Sequence, residues 1–375
     1  MIYFDNAATG GFKPRAVTDA AETVIRYLSA NPGRSGHRLS VSGAGIVYDC
    51  RNNLAELFGA KSERVIFTKN CTEALNVAIF GCLNSGDHVI TTVFEHNSVL
   101  RPLHALKNKN VIELDVVKPD LFTPLESAIQ RAIKPNTKLI VCTAISNVTG
   151  QVMPIEEIAQ IAKLNDILFL VDGAQGGGHI SLSVESGVSM LALAGHKGLL
   201  GIMGSGALIL NDKVDLNPLI YGGTGSESFN LNQPSCYPEK LEAGTLNLPA
   251  IAALNEGVKF VSKNLTNFKE RLELSSKLLI DGLLDVKGVA CYSKPNPAGI
   301  CAFKIDDMPS SEVADVLNTQ YDIAVRGGLH CAPLTHEFLS TNKDGLVRVS
   351  LAVQNSSSEI NYFLSAIKKI VAKSF

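Results

Sequence analysis

The sequence predicts an α/β protein: an open, mostly parallel β-sheet with helices on both faces, followed by a smaller α+β domain. Two patterns predict it. Between residues 65 and 210, short apolar runs rich in β-branched residues alternate with helical patterns. Such alternation builds parallel sheets, because each crossover between parallel strands returns through a helix. From about residue 255 the alternation stops, and long helical stretches lead into short strands. The chain of 375 residues has room for two domains at roughly 150 residues each. The expected division is a large domain over 1–255 and a small one over 256–375. The first 15–30 or so residues are expected to pack onto one of these, with the small domain as a candidate.

Taken in order, the strand-like runs are 65–68 (VIFT), 88–94 (HVITTVF), 111–116 (VIELDV), 138–145 (KLIVCTAI), 167–172 (ILFLVD), 190–195 (MLALAG) and 206–210 (GALIL). Helical patterns lie between several of them, at 72–83, 97–106, 124–133 and 154–164. Pro154 followed by IEEIAQIAK puts proline near the first turn and acids early, which suits a helix start. Further on, helical stretches at 249–263 and 265–284 form a connector with no Pro/Gly/Ser linker. They are followed by strands at 288–292, 299–305, 321–326 and 346–352, and by helices at 310–319 and 357–372.

Composition narrows the function. Apolar residues make up 46% of the chain, which excludes general disorder, and 34 basic against 36 acidic residues leave a net charge of −2. That balance argues against a nucleic-acid or anionic-membrane partner for the chain as a whole. No apolar run reaches the roughly 18 residues that span a bilayer. The opening MIYFDNAATGG has an acid at position 5 and no basic region, so no secretion signal is read and a cytoplasmic location is expected. Eight cysteines are scattered without a CxxC pair, and no metal site is expected.

Ligands of open α/β sheets bind beyond the carboxyl ends of the strands. Five strand ends here carry polar or ionisable residues: Asn70-Cys71-Thr72 after VIFTK, Glu95-His96-Asn97 after HVITTVF, Ser146-Asn147 after KLIVCTAI, Asp172 through Gln175 after ILFLV, and His196-Lys197 after MLALAG. On its own, Lys197 reads as a surface lysine, Thr72 as a helix N-cap, and His96 as a rim histidine. Together they suggest more. A lysine with an apolar approach can act as an amine nucleophile or base. Asp172, at a neighbouring strand end, can pair with a protonated pyridine nitrogen, and a helix start at Thr72 suits a phosphate. This set fits pyridoxal 5'-phosphate. No GxGxxG, GxxxxGK[ST], HExxH or GxSxG competes with it. Cys331 stands apart from the apolar cysteines. It follows Arg326-Gly-Gly-Leu-His330 in a turn-rich loop beside cationic residues, which favours an exposed, reactive thiol.

These motifs resemble a known family. VDGAQ (171–175), AGHKGLLG (194–201), EHNSVLRP (95–102), SNVTG (146–150) and LEAGTLN (241–247) are similar to fold-type I, class V aminotransferase-like enzymes. Within these the chain most resembles the cysteine desulfurase and selenocysteine lyase family. YFDNAATG (3–10), RSGHRLS (34–40), NCTEALN (70–76), VRGGLHCAP (325–333) and VRVSLAVQN (347–355) fit the same group, so the match spans the chain in order. The compact loop around Cys331 points to the branch of the Suf-type desulfurases. The resemblance implies a fold-type I transferase with a seven-stranded, mostly parallel sheet in the large domain.

It also implies roles. Lys197 would hold the cofactor covalently and serve as the base, with Asp172 on the pyridine nitrogen, Gln175 on the ring hydroxyl and His96, itself catalytic, stacked on the ring. Cys71, Thr72 and His196 would surround the phosphate. Gly223 and Thr224, in YGGTGSES (221–228), would complete that phosphate site in a second subunit, making the enzyme a homodimer. Arg348 would clamp the substrate carboxylate, with Asn147, Arg326 and His37 also at the substrate, and Cys331 would take the sulfur. Ala194 departs from the serine of many relatives and removes one phosphate hydrogen bond. The activity expected is release of L-alanine from L-cysteine with a persulfide left on Cys331, to be passed to a sulfur-acceptor protein in iron–sulfur or other thiolation chemistry. The alternatives are a selenocysteine lyase acting on L-selenocysteine, a class V aminotransferase or β-elimination lyase, and, from another class, a non-catalytic partner-binding relative.

Overall fold

The computed structural model of the chain describes residues 1–374. After β1 (Ile2–Tyr3) come α1 (Arg15–Tyr27), α2 (Arg38–Phe58), β2 (Val65–Thr68), α3 (Cys71–Cys82), β3 (Asp87–Thr92), α4 (Asn97–Asn108), β4 (Ile112–Val117), α5 (Leu125–Arg131), β5 (Thr137–Thr143), α6 (Ile155–Leu164), β6 (Leu168–Asp172), β7 (Met190–Ala194) and β8 (Gly206–Leu210). Strands β2 to β8 form one seven-stranded sheet in the order β2-β8-β7-β6-β5-β3-β4. Only β8 runs antiparallel to its neighbours, so the expected mostly parallel sheet is what forms. Its central strands read as unbroken apolar runs because both faces are covered: every residue of β7 and β8 is buried. One face packs on α3 and α4, and the other on α2, α5, α6 and the first turns of α7 (Leu248–Leu284).

Helix α7 is one continuous rod of 37 residues, about 55 Å long at 1.5 Å per residue. The sequence pattern suggests two stretches, 249–263 and 265–284, but Asn264 between them is accommodated in mid-helix, its Nδ2 bonding the Phe260 carbonyl. The helix begins in the core of the large sheet, through Ile251 and Leu254, and ends in a second core, through Leu279 and Leu283. That second core is closed by β9 (Val289–Cys291), β10 (Ile300–Ile305), α8 (Ser310–Tyr321), β11 (Ile323–Ala324), β12 (Arg326–Gly328), α9 (Pro333–Phe338), β13 (Leu346–Ser350) and α10 (Ser357–Ser374). Its sheet has the order β12-β13-β10-β9 and is antiparallel. The single strand read at 321–326 is two short ones, β11 and β12, in different sheets. β11 pairs in parallel with β1, and Asp5 bridges to Ser350, so the chain start is stitched into the small core.

Candidate active site

The carboxyl ends of β2, β3, β5, β6 and β7 open into one cavity of about 480 Å³. It brings together Cys71, Thr72, His96, Asn147, Asp172, Gln175, His196 and Lys197. The turn that carries Lys197 is fixed by a reciprocal glycine contact. A Cβ on Gly198 would lie 2.3 Å from the Gly177 carbonyl oxygen, and one on Gly178, where φ is +89°, would lie 2.3 Å from the Gly198 oxygen. Gly177 and Gly178 belong to the loop that leaves Asp172. Two bare backbones in contact therefore hold the lysine turn against the aspartate turn.

The charges fit a cationic ring over an anion. Asp172 is 2% exposed. Its Oδ1 accepts the Ala174 amide (2.9 Å) and the Cys71 thiol (3.4 Å), while Oδ2 has no donor among the described residues. The Cys71 thiol stays protonated as that donor, since burial and then Asp172 push its pKa well up. Among the described residues the Lys197 ammonium has no hydrogen-bond partner. Burial lowers its pKa, partly opposed by Asp172, which suits an amine that must be free at neutral pH. A buried carboxylate with an open oxygen, a partnerless amine, and the first-turn amides of α3 beside the Thr72 hydroxyl match the pyridine, aldehyde and phosphate ends of pyridoxal phosphate.

The histidines of the cavity are neutral. His96 caps α4, its Nδ1 accepting the Ser98 amide at 3.0 Å, so its proton sits on Nε2. Burial is the main reason its pKa falls to about 4. His196 bonds Thr9 Oγ1 through Nδ1 at 3.0 Å, and burial followed by Lys197 and Lys13 takes it to about 4 as well. Gln175 Nε2 donates to the Ala7 carbonyl (2.9 Å), which fixes its amide at the cavity wall.

The second half of the site comes from the small core. Arg348 is 1% exposed, donating to the Asn147 carbonyl and to Asp5 Oδ1, both at 2.9 Å, with Nε left unpaired. Arg326 stands opposite it in the β12–β13 register. Asn147 Nδ2 donates to the His330 carbonyl (2.8 Å), and the Asn97 amide donates to the Cys331 carbonyl (2.7 Å). Cys331 is therefore exposed yet tied on both sides to the cavity wall.

Other predicted residues lie elsewhere in the subunit. His37 is exposed and caps α2, its Nδ1 accepting the Ser40 amide. Gly223 and Thr224 sit on an exposed loop next to Arg34, away from the cavity of the same subunit. Sequence reasoning missed Ser98, which hydrogen-bonds both His96 Nδ1 (2.9 Å) and Thr72 Oγ1 (2.8 Å), and Asp5, the partner of Arg348. Both lie inside motifs that were recognised, Ser98 in EHNSVLRP and Asp5 in YFDNAATG.

Glu95 is a further buried group behind the wall. Its Oε1 accepts Thr92 Oγ1 (2.7 Å) and the Thr143 amide (3.0 Å), while Oε2 has no partner. Burial raises its pKa from 4.5 to about 8. The folded state then holds a proton that the unfolded chain releases. Its contribution to stability is complete below pH 4.5 and is lost as pH rises through 8. Glu95→Gln, which keeps both acceptor bonds, is expected to remove a slope of about 1.4 kcal/mol per pH unit across that window. Denaturant unfolding of both proteins from pH 5 to 8.5 measures it, and parallel stability curves would contradict a protonated Glu95.

The fold and this cavity define a class of protein. The class-V aminotransferase profile matches residues 2–363, and the chain belongs to that family. Among its relatives, a probable cysteine desulfurase of Pyrococcus abyssi is 31% identical over 99% of this chain and 94% of its own length. One of Methanothermobacter thermautotrophicus is 31% identical over 98% and 94%. Among solved structures, the apo cysteine desulfurase of Thermococcus onnurineus NA1 superimposes with a TM-score of 0.92 at 32% identity, covering 99% of this chain and 95% of that one. Among the described residues no helix is long and apolar enough to cross a membrane.

Proposed function

We propose that the protein is a pyridoxal-phosphate-dependent cysteine desulfurase that moves sulfur from L-cysteine onto Cys331 and releases L-alanine. The observation that carries this reading is the junction of the two halves of the site: an exposed thiol tied through Asn147 and Asn97 to the lysine–aspartate cavity, beside a buried arginine. Lys197 would hold the cofactor, with Asp172 Oδ2 toward the ring nitrogen, Gln175 and His96 at the ring, and Cys71, Thr72 and His196 at the phosphate. Bound there, pyridoxal phosphate supplies an electron sink that acidifies the substrate Cα–H.

The chain's own groups do the rest. Arg348, with its unpaired Nε, takes the substrate carboxylate, and Arg326 opposite adds positive charge. Lys197, with its lowered pKa, accepts the Cα proton and can return it. The Cys331 thiolate attacks the substrate sulfur. A sulfur–sulfur bond forms as the carbon–sulfur bond breaks, and the electron pair stays with carbon, which gains a proton to become the methyl group of alanine. In the cytoplasm, a protein thiol would then accept the persulfide sulfur. Assayed with L-cysteine and L-selenocysteine, the enzyme is expected to form alanine and bound sulfane sulfur in equal amounts from cysteine. Keto acid instead of alanine would make it an aminotransferase, and turnover confined to selenocysteine would make it a lyase.

The active unit in this reading is a homodimer. The loop 221–231 carries Phe229 and Leu231 fully exposed and Tyr221 largely so, side chains that a partner subunit would cover. Gly223 and Thr224 would then reach the partner's phosphate site. Thr224→Ala is expected to weaken cofactor retention about tenfold, the worth of one hydrogen bond to a charged group. Dialysis against phosphate buffer measures this retention. A monomer by light scattering that keeps full cofactor would refute the shared site.

A further inference from the structure

Beneath the Cys331 loop two histidines form a closed, buried file. His330 is 3% exposed and His336 0%, and their rings lie edge to edge in near-parallel planes, 23° apart, with centroids 5.7 Å apart. The direction of each hydrogen bond follows from its ends. His330 Nε2 lies 3.1 Å from the Arg326 carbonyl oxygen, which can only accept, so Nε2 carries the proton and Nδ1 is the acceptor. That Nδ1 faces His336 Nε2 at 3.5 Å, which must therefore donate. His336 Nδ1 is left to accept from the Thr341 hydroxyl at 2.9 Å, for which the His336 carbonyl is a second, longer acceptor at 3.4 Å. All three bonds run one way through two neutral rings. Burial lowers the pKa of both, His330 to about 3, with Arg348 the next cause there.

The file ends at residues that matter to the site. Arg326, whose carbonyl closes it, faces Arg348 across the strand pair. The His330 backbone carbonyl holds Asn147, and the next residue is Cys331. His330 and Cys331 both have left-handed backbones, with φ of +51° and +57°. Each such conformation is unfavourable for a non-glycine residue and persists only where its surroundings over-determine it. The Asn147 and Asn97 bonds fix the two carbonyls. The histidine file fixes the His330 side chain, on the residue just before Cys331.

We propose that His336 and His330 are positioning residues for sulfur transfer: the Thr341–His336–His330–Arg326 file holds the Cys331 turn in its left-handed form and so aims the thiol at the substrate sulfur. The proposal rests on Cys331 being the nucleophile. In the holoenzyme, His336→Leu is expected to lower kcat for alanine formation about 30-fold while KM for L-cysteine stays within about threefold, because misplacing a reacting group by an ångström costs rate rather than binding. Hydrogen exchange of the 327–333 amides is expected to speed up about tenfold, with exchange in β7 unchanged. His336→Gln, which can still donate to His330 and accept from Thr341, restores both. Should the leucine variant fail to fold, Thr341→Val, which leaves both rings in place, shows the same split at about three- to tenfold.

Unchanged kcat and exchange in His336→Leu, a fall in kcat without faster loop exchange, or no rescue by glutamine would each overturn the file's role. If the wild-type enzyme forms no alanine from L-cysteine, the desulfurase reading fails instead, and the exchange comparison still decides whether the file holds the turn.

Discussion

Lys197→Ala is expected to give a colourless protein that makes no alanine from L-cysteine. Among the described residues Lys197 is the one amine lining the cavity of Asp172 and His96 and has no hydrogen-bond partner, and its pKa is lowered by burial. Removing it takes away both the covalent anchor of the cofactor and the base for the Cα proton, so turnover should drop by at least about 10⁴-fold. The fold should survive, since a half-buried amine without a partner contributes little to stability and the Gly177–Gly198 backbone contact remains. Lys13 is the control. Its ammonium donates to the His196 carbonyl at 3.0 Å and burial lowers its pKa to about 8, but it lies outside the cavity lining. Lys13→Ala should stay yellow. Absorbance above 400 nm, with peptide mapping after borohydride reduction, reads both variants, and a visible band retained in Lys197→Ala would exclude this lysine as the anchor.

Residues near one another along the chain were the legible part of this site. Each strand end in the large sheet could be read because an apolar β-branched run stops at a polar residue, and the open α/β rule places those ends on one rim. Helix α2 was not read. Its sequence, RLSVSGAGIVYDCRNNLAELF, contains two glycines, two serines and two adjacent asparagines, all weak helix formers. It exists because Val47, Cys50, Leu54 and Phe58 bury one stripe against the sheet core, a tertiary effect that propensity does not carry. The contacts that join the two halves are harder still. Asp5 meets Arg348 across 343 positions, and Asn147 meets His330 across 183. No local pattern marks either pair. His336 sits in APLTHEF, a stretch for which the sequence predicts no element, and its burial follows only from how α9 lies under the loop, with Thr335 Oγ1 bonded to the Val93 carbonyl.

Cys331→Ala separates sulfur transfer from every other reaction this family's cavity could support. The variant keeps Lys197, Asp172, Arg348 and Asn147, so it is expected to retain cofactor colour and to bind L-cysteine with an affinity within about threefold of wild type. Arg348 keeps both its bonds to Asp5 and Asn147, because neither involves the thiol. The Asn97–Cys331 bond also survives, since it uses the backbone carbonyl. What disappears is the sulfur that attacks. Alanine release from L-cysteine should fall by about 10²- to 10⁴-fold, the range expected when a nucleophile is deleted from a site that remains assembled. L-Selenocysteine is an internal comparison: selenium leaves carbon more readily than sulfur, so its turnover should depend less on Cys331. A thiol-specific probe should find persulfide on wild-type protein after cysteine treatment and none on the variant, with the exposed Cys236 serving as the check for adventitious labelling. An aminotransferase would be indifferent to the substitution. Alanine release from L-cysteine at the wild-type rate in Cys331→Ala would remove this thiol from the reaction, and with it both the desulfurase assignment and the part of the histidine file in sulfur transfer.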